Sequence, residues 1–253
     1  GPWATRLHLS GRGWGKTLAG AQWVRGEIES KRKRNIALVG PTSRDVRKVM
    51  VEGNSGILSV CPPWDYPSYE PSKLKLTWPN GGEAHLYSAE EPSRLRGPNH
   101  DAAWCDEICS WEYMEETWDN LEMTLRAGRS PKRYITTTPK PKQLLLDIVN
   151  DKSTVVIRGS TFDNQDNLAP EFIARMREKY EGTRKGREEL YAELLEEAEG
   201  ALWTRRGIEQ SRVSAAPHMK RIVVAIDPAV TSTEQSDETG IVVAGIGIDG
   251  HGY

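Results

Sequence analysis

The segment Ser10-Gly11-Arg12-Gly13-Trp14-Gly15-Lys16-Thr17 has the residue types and spacing to hold a polyphosphate. Glycines let successive backbone N–H groups turn inward around an anion. A lysine at the end of the turn reaches β- and γ-phosphates, and the following hydroxyl reaches a phosphate-bound Mg²⁺. The general P-loop pattern asks for Gly where this chain has Ser10, so a Gly-rich turn that merely caps a helix is the competing reading. The apolar residues before the turn and the helical spacing of Leu18, Ala21, Val24 and Ile28 after it favour the phosphate loop. Arg12 is the unusual member. A turn needs no guanidinium, and four residues before Lys16 it could stabilise charge on a γ-phosphate.

A second set of groups lies about ninety residues downstream. Asp106-Glu107 follow the short apolar run Ala102-Ala103-Trp104-Cys105, which places two carboxylates at a strand end. One can hold Mg²⁺ and the other can polarise an attacking water. Acidic pairs at strand ends are common, and the coupling to a phosphate loop gives this one its meaning. Thr136-Thr137-Thr138-Pro139 closes another strand, with hydroxyls suited either to β-structure alone or to sensing the γ-phosphate. Arg94 and Arg96 precede the acidic pair and could serve a neighbouring subunit's nucleotide. Asp227 ends the apolar run 222–226, with Asp237, Glu238 and Asp249 beyond it, but a two-metal site needs several converging carboxylates. The histidines have no metal spacing. Cys105 and Cys109 lack the partners of a zinc site and read as a buried strand cysteine and a loop thiol.

Alternating elements must carry these groups. Strands are expected over 6–10, 36–39, 102–105, 134–138 and 154–158, with a hairpin over 74–87 turning at Pro79-Asn80-Gly81-Gly82. Helices are expected after Lys16, from a Ser43 cap, over 114–125 and over 143–149. This alternation predicts an α/β domain with a largely parallel central sheet. Residues 170–199 read as helical with Leu190, Leu194 and Leu195 on one face. Residues 201–220, with Arg205-Arg206 and Pro217, read as a linker, and two apolar strands follow. The expected organisation is a core over 1–160, a helical subdomain over 161–200, a linker over 201–220 and the start of another domain over 221–253.

Composition agrees with a globular fold. The 253 residues are 37% hydrophobic, enough to bury a core without disulfide or metal staples. No apolar run approaches the ~18–20 residues of a membrane-spanning helix, and three cysteines without framework spacing suit a reducing compartment. Net charge is −2. Residues 1–150 carry 21 Lys and Arg against 18 Asp and Glu, and residues 151–253 carry 13 against 18. The surplus concentrates in residues 25–48, with eight basic and three acidic side chains, which a solvated face would explain.

Taken together, the motifs at 9–17, 88–107, 134–139 and 222–247 resemble the large terminase subunit of tailed double-stranded DNA bacteriophages, the ATP-driven genome-packaging motor. A Ser-started phosphate loop containing an arginine is a habit of that family. The resemblance implies ATP and Mg²⁺ held by residues 10–17, with Thr17 and Asp106 as metal ligands, Glu107 as catalytic base and Arg12 in cis. It further implies Thr136, Thr137 and Thr138 as the coupling motif and Arg96 as an arginine finger acting in trans. The implied fold is an ASCE-type P-loop ATPase with a small helical lid and an RNase H-like nuclease domain using Mg²⁺ or Mn²⁺. Only Asp227 can be carried over to that nuclease, so the chain reads as a truncation without DNA cleavage of its own. The implied partners are double-stranded DNA, a portal protein, the small terminase subunit and further copies in a ring, with no membrane. The implied location is the host cytoplasm and, transiently, the procapsid portal vertex. Other readings are a different nucleic-acid ATPase such as a helicase, or a nucleotide-binding assembly component with little activity.

Overall fold

The computed structural model describes residues 3–195, 208, 210–228 and 240–253. The chain forms two compact units, residues 1–196 and 197–253.

The first unit is built on an eight-stranded sheet. In chain order its elements are β1 (Thr5–Ser10), α1 (Lys16–Glu29), β2 (Asn35–Gly40) and α2 (Ser43–Asp45), which runs into a π-helical segment Val46–Val51. There follow α3 (Ile57–Val60), β3 (Ser68–Glu70), β4 (Lys75–Thr77), β5 (Glu83–Ser88), β6 (Ala102–Asp106) and α4 (Met114–Thr124). β7 (Lys132–Thr137), α5 (Gln143–Asn150), β8 (Thr154–Gly159), α6 (Pro170–Tyr180) and α7 (Arg184–Glu189) complete the unit. The strand order is β3-β4-β5-β2-β6-β7-β1-β8. The six strands from β5 to β8 are parallel, and β3-β4-β5 form the antiparallel edge.

Strand residues alternate between two cores, as the two-residue period of a strand requires. Leu7, Leu9, Ala37, Val39, Ala103, Cys105 and Ile135 face Leu121 of α4 and Leu145 and Ile148 of α5. Ile36, Leu38, Ala102, Trp104 and Tyr134 face Ala21, Val24 and Ile28 of α1, with Val46, Met50 and Ile57. Helices on both faces explain why these strands read as continuous apolar runs.

The closest packing occurs where α1 crosses β6. A Cβ on Gly20 would stand 2.1 Å from Cε2 of the fully buried Trp104. Gly20→Ala gains about 1 kcal/mol of helix propensity but forces the indole to move. The expected result is a net loss of roughly 2–3 kcal/mol, a midpoint lowered by roughly 5–10 °C in a thermal melt. Combining it with Trp104→Leu, which vacates the colliding ring, should recover part of the loss. A wild-type midpoint for Gly20→Ala would refute the packing argument.

Several boundaries differ from expectation. Thr42, not Ser43, caps α2: its Oγ1 accepts from the Asp45 N–H at 3.0 Å. Cys109, read as a loop thiol, lies in the short 3₁₀ turn Ile108–Ser110, 2% exposed and in the core with Trp111 and Met114. The helix expected through 199 stops at Glu189, and residues 190–195 are not helical. There Leu190 N–H closes onto Gly186 O, and Leu190 O is taken by the Thr161 N–H at 2.7 Å, a pull from outside the helix that periodicity does not register. β3 was not foreseen, since three residues carry no period.

The second unit contains an antiparallel pair, β9 (Met219–Asp227) and β10 (Gly240–Gly247). Residues 196–207, 229–239 and 209 lie outside the described residues, and with them Arg205-Arg206, Asp237, Glu238 and part of the expected linker. Among the described residues, no helix is long and apolar enough to cross a membrane.

Candidate active site

The carboxyl ends of β6, β7 and β1, neighbours in the sheet, open into one cleft of about 1030 Å³. Parallel α/β sheets bind ligands at this edge, because the loops leaving strand ends and the N-termini of following helices converge there.

The loop from β1 to α1 forms one wall. Gly13 and Gly15 adopt φ of +78° and +105°, which L side chains rarely adopt, so the turn around Trp14 needs both glycines. The Trp14 indole lies where a Cβ on Gly159 of β8 would stand, anchoring the tip, and packs 5.5 Å from the His8 ring. Burial lowers the His8 pKa to about 4, so the ring is neutral at physiological pH. The first hydrogen bond into α1 runs from Ala19 N–H to Gly15 O at 2.9 Å. Among the described residues, the N–H groups of Gly13, Gly15, Lys16 and Thr17 have no acceptor. Four free donors at a helix N-terminus in a cleft make an anion site. Ser10 is buried, and its carbonyl accepts from Lys16.

Lys16 joins the walls. Its Nζ is buried and donates to Ser10 O at 2.9 Å, Gly11 O at 3.3 Å and Thr138 Oγ1 at 3.0 Å. It lies 3.4 Å from Glu107 Oε1. Glu107 leaves β6 with φ 47° and ψ 47°, a left-handed conformation costing a non-glycine residue about 1–2 kcal/mol. Its N–H donates to Thr136 O at 2.6 Å, and its Oε2 accepts from Thr138 N–H at 3.2 Å. The strained turn thus aims the carboxylate into the cleft instead of along the strand.

Asp106 is 5% exposed and pairs in register with Thr136. Burial and then the neighbouring Glu107 charge push its pKa up to about 7, against the pull of Thr136 and Lys16. Its Oδ1 accepts from Thr136 Oγ1 at 2.6 Å, which in turn accepts from Trp104 Nε1 at 2.9 Å. Thr137 Oγ1 accepts from Cys109 N–H at 3.3 Å and donates to Thr138 O at 3.1 Å. The three threonines therefore differ: Thr136 holds Asp106, Thr137 braces the turn after β6, and Thr138 meets Lys16.

The residues fit a nucleotide and its cation. Mg²⁺ takes one or two protein oxygens beside phosphate and water. The Thr17 hydroxyl lines the cleft, and Asp106 is a desolvated carboxylate that a divalent cation would compensate. Among the described residues, no three His, Cys, Asp or Glu side chains cluster as a metal cage elsewhere.

Arg12 does not enter the cleft alone. Its Nε donates to Glu189 Oε2 at 2.7 Å, while the Arg12 N–H donates to Glu189 O at 2.8 Å. Thr161 Oγ1 donates to Arg12 O and Asn164 Nδ2 to Gly13 O, each at 2.7 Å. The phosphate loop is thus gripped through its outward carbonyls by the segment 161–190, leaving its N–H groups toward the cleft. Sequence reading missed Thr161, Asn164 and Glu189, which carry no motif. Arg96 is not brought to the cleft: its Nε donates to Asn120 Oδ1 at 3.1 Å, and it pairs with Glu116 at 3.3 Å. Asp227 ends β9 in the second unit, exposed and opposite Gly240. Asp249 is engaged locally by Tyr253 OH at 2.6 Å.

A mostly parallel sheet with an anion-binding loop between its first strand and helix, facing an acidic pair at the end of the strand two places away, defines an α/β P-loop NTPase. Within that class, the chain belongs to the large terminase family: the family model described as terminase large subunit, T4likevirus-type, N-terminal, matches residues 7–210. No curated protein sequence matches the chain. Among solved structures, it resembles the Thermus phage P74-26 large terminase ATPase domain, with TM-score 0.59 and 16% identity over 77% of this chain and 90% of that one. The large terminase of a thermophilic bacteriophage, in complex with ADP, aligns with TM-score 0.63 and 15% identity over 96% of this chain and 60% of that one. The HK97 bacteriophage large terminase gives 0.61 and 16% over 99% and 58%. The chain thus spans about half to three-fifths of those longer terminases.

Proposed function

We propose that the chain is the ATP-hydrolysing part of a viral motor that drives double-stranded DNA into a procapsid. The observation that carries this reading is the meeting of Lys16, Asp106, Glu107 and Thr138, from three strand ends, beside four free N–H donors. In this reading residues 10–17 bind the phosphates of ATP, with Thr17 and Asp106 holding Mg²⁺. The cation, when bound, neutralises phosphate charge. Glu107 accepts a proton from the attacking water, and Thr136 keeps Asp106 oriented. Thr137 and Thr138 link the site to the chain after β7. Arg12 exchanges Glu189 for phosphate, and Arg96, exposed on another face, serves the nucleotide of an adjacent copy in a ring.

The ADP complex named above, and an ATP-gamma-S complex of the same thermophilic phage's large terminase, support nucleotide binding here by shared family. The same family membership supports a portal protein and a small terminase subunit as partners, and action in the host cytoplasm with docking at the portal vertex. Asp227 is proposed as a carboxylate of a nuclease unit using Mg²⁺ or Mn²⁺, of which β9 and β10 form part. Phosphate release from ATP, followed with Mg²⁺ and then with excess EDTA, tests the central claim. Turnover should require the cation. No turnover by the assembled protein with Mg²⁺ and DNA, or turnover unaffected by EDTA, would sink it.

A further inference from the structure

The phosphate site absorbs none of the basic surplus noted in residues 25–48. Much of that surplus lies at the opposite edge of the sheet, where the strands begin. There two basic runs meet that are far apart in sequence: residues 31–34, entering β2, and residues 126–133, entering β7. The loop before β6 ties them together. Asp101 accepts from the N–H groups of Arg34 at 2.7 Å and Asn35 at 3.1 Å, while its carbonyl takes the Lys132 N–H at 3.3 Å. Lys33 Nζ crosses directly to Ser130 O, and Arg126 reaches Asn99 on the same loop.

The charges on this edge are not cancelled. Arg32 is neutralised by Glu27 and Arg133 by Glu122. Arg126 and Lys132, in contrast, are held by uncharged oxygens of Asn99 and Trp3, so both keep their full charge. Lys31, Arg34 and Arg129 are exposed, and among the described residues their side chains have no hydrogen-bond or ion-pair partner. The one local carboxylate outside an ion pair is Asp101, already bound by two amides. The adjoining 151–153 turn adds Lys152 and Asp151, which offset each other, and Glu29 is paired with Arg25. On other faces Arg47 and Lys48 are matched by Glu52 and Lys75 by Glu83. The C-termini of α1 and α4 also end here, but each presents only about half a negative charge. That accounts for about one of the five cations.

We infer that Lys31, Arg34, Arg126, Arg129 and Lys132 form a contact surface for the phosphate backbone of duplex DNA, at the edge of the sheet remote from the nucleotide cleft. The inference rests on the proposed DNA-moving function and gives it a surface. A polyanion fits because cations without a carboxylate partner bind charge and not sequence. A motor that must move any sequence requires that property.

The test is the salt dependence of binding to a fluorescent duplex, read by anisotropy on the full chain. The variant Lys31→Ser/Arg34→Ser/Arg129→Ser removes cations whose loss strands no partner. A control, Lys73→Ser/Arg175→Ser/Lys185→Ser, removes the same charge from other faces. Each phosphate contact contributes about 0.9 to the slope of log K against log salt, so the first variant should lose roughly 2–3 in slope. It should also bind at least about tenfold more weakly near 0.1 M salt, and the control should behave as wild type. Equal losses in both variants, an unchanged first variant, or a wild type displaced as readily by polyglutamate as by duplex would each overturn the inference. ATP turnover by the assembled protein with Mg²⁺ and saturating DNA, measured on the same preparations, separates the two claims. If turnover persists while DNA binding ignores the first variant, only the surface is wrong. If the wild type turns over no ATP, the proposed function is wrong.

Discussion

Lys16→Ala should abolish measurable ATP turnover, with a loss of roughly 10²–10³-fold or more, while leaving the protein folded. The magnitude follows from removing a preorganised cation from a water-poor site where phosphate charge develops. The Nζ now donates to three oxygens and sits 3.4 Å from Glu107. Its deletion leaves Ser10 O and Thr138 Oγ1 short of a donor and Glu107 without its cation. Nucleotide binding should weaken by about 1.5–3 kcal/mol, the usual worth of a hydrogen bond to a charged group, or roughly tenfold to a hundredfold. Phosphate-release kinetics and titration with a fluorescent nucleotide check the two parts, and circular dichroism checks the fold. Turnover within a few-fold of wild type would remove the loop from the active site.

Glu107→Gln should separate binding from chemistry. The amide keeps the shape of the side chain and an oxygen to accept from the Thr138 N–H, but it cannot take a proton from water. Turnover is expected to fall roughly 10²–10⁴-fold, the usual contribution of a general base. Nucleotide affinity should stay level or rise, because a negative group leaves a site that binds anions. The left-handed backbone at position 107 makes this expectation specific. Local strain is kept where a side chain must point in a direction that regular structure denies it. Gln bears the same backbone cost, so the thermal midpoint should shift little. If Glu107→Gln and Lys16→Ala lose nucleotide affinity equally, Glu107 is a binding residue and the base lies elsewhere.

The two ends of the sheet divide the proposed work. The carboxyl edge gathers donors, a lysine and carboxylates around a cleft, and the opposite edge gathers unmatched cations. The segment 161–190 holds the phosphate loop through its outward carbonyls and Arg12 and packs Leu168 against Gly13.

What the amino-acid sequence determined by itself is local. The phosphate loop was legible because its chemistry resides in the backbone of consecutive residues, and glycines at fixed offsets announce that backbone. Asp106-Glu107 and the threonine run were legible because a strand's apolar run ends visibly in polar residues. The parallel sheet followed from alternating strands and helices, and the family match agrees with that fold. Tertiary structure alone decided the rest. Only strand order puts β6, β7 and β1 side by side, so that a lysine at 16 meets a threonine at 138. Nothing in a glutamate at 189 distinguishes it until folding brings it against Arg12. Likewise, residues 31–34 and 126–133 share one edge only because β2 and β7 start there. Long-range pairs leave no period in the chain, because their partners are chosen by topology and not by neighbours.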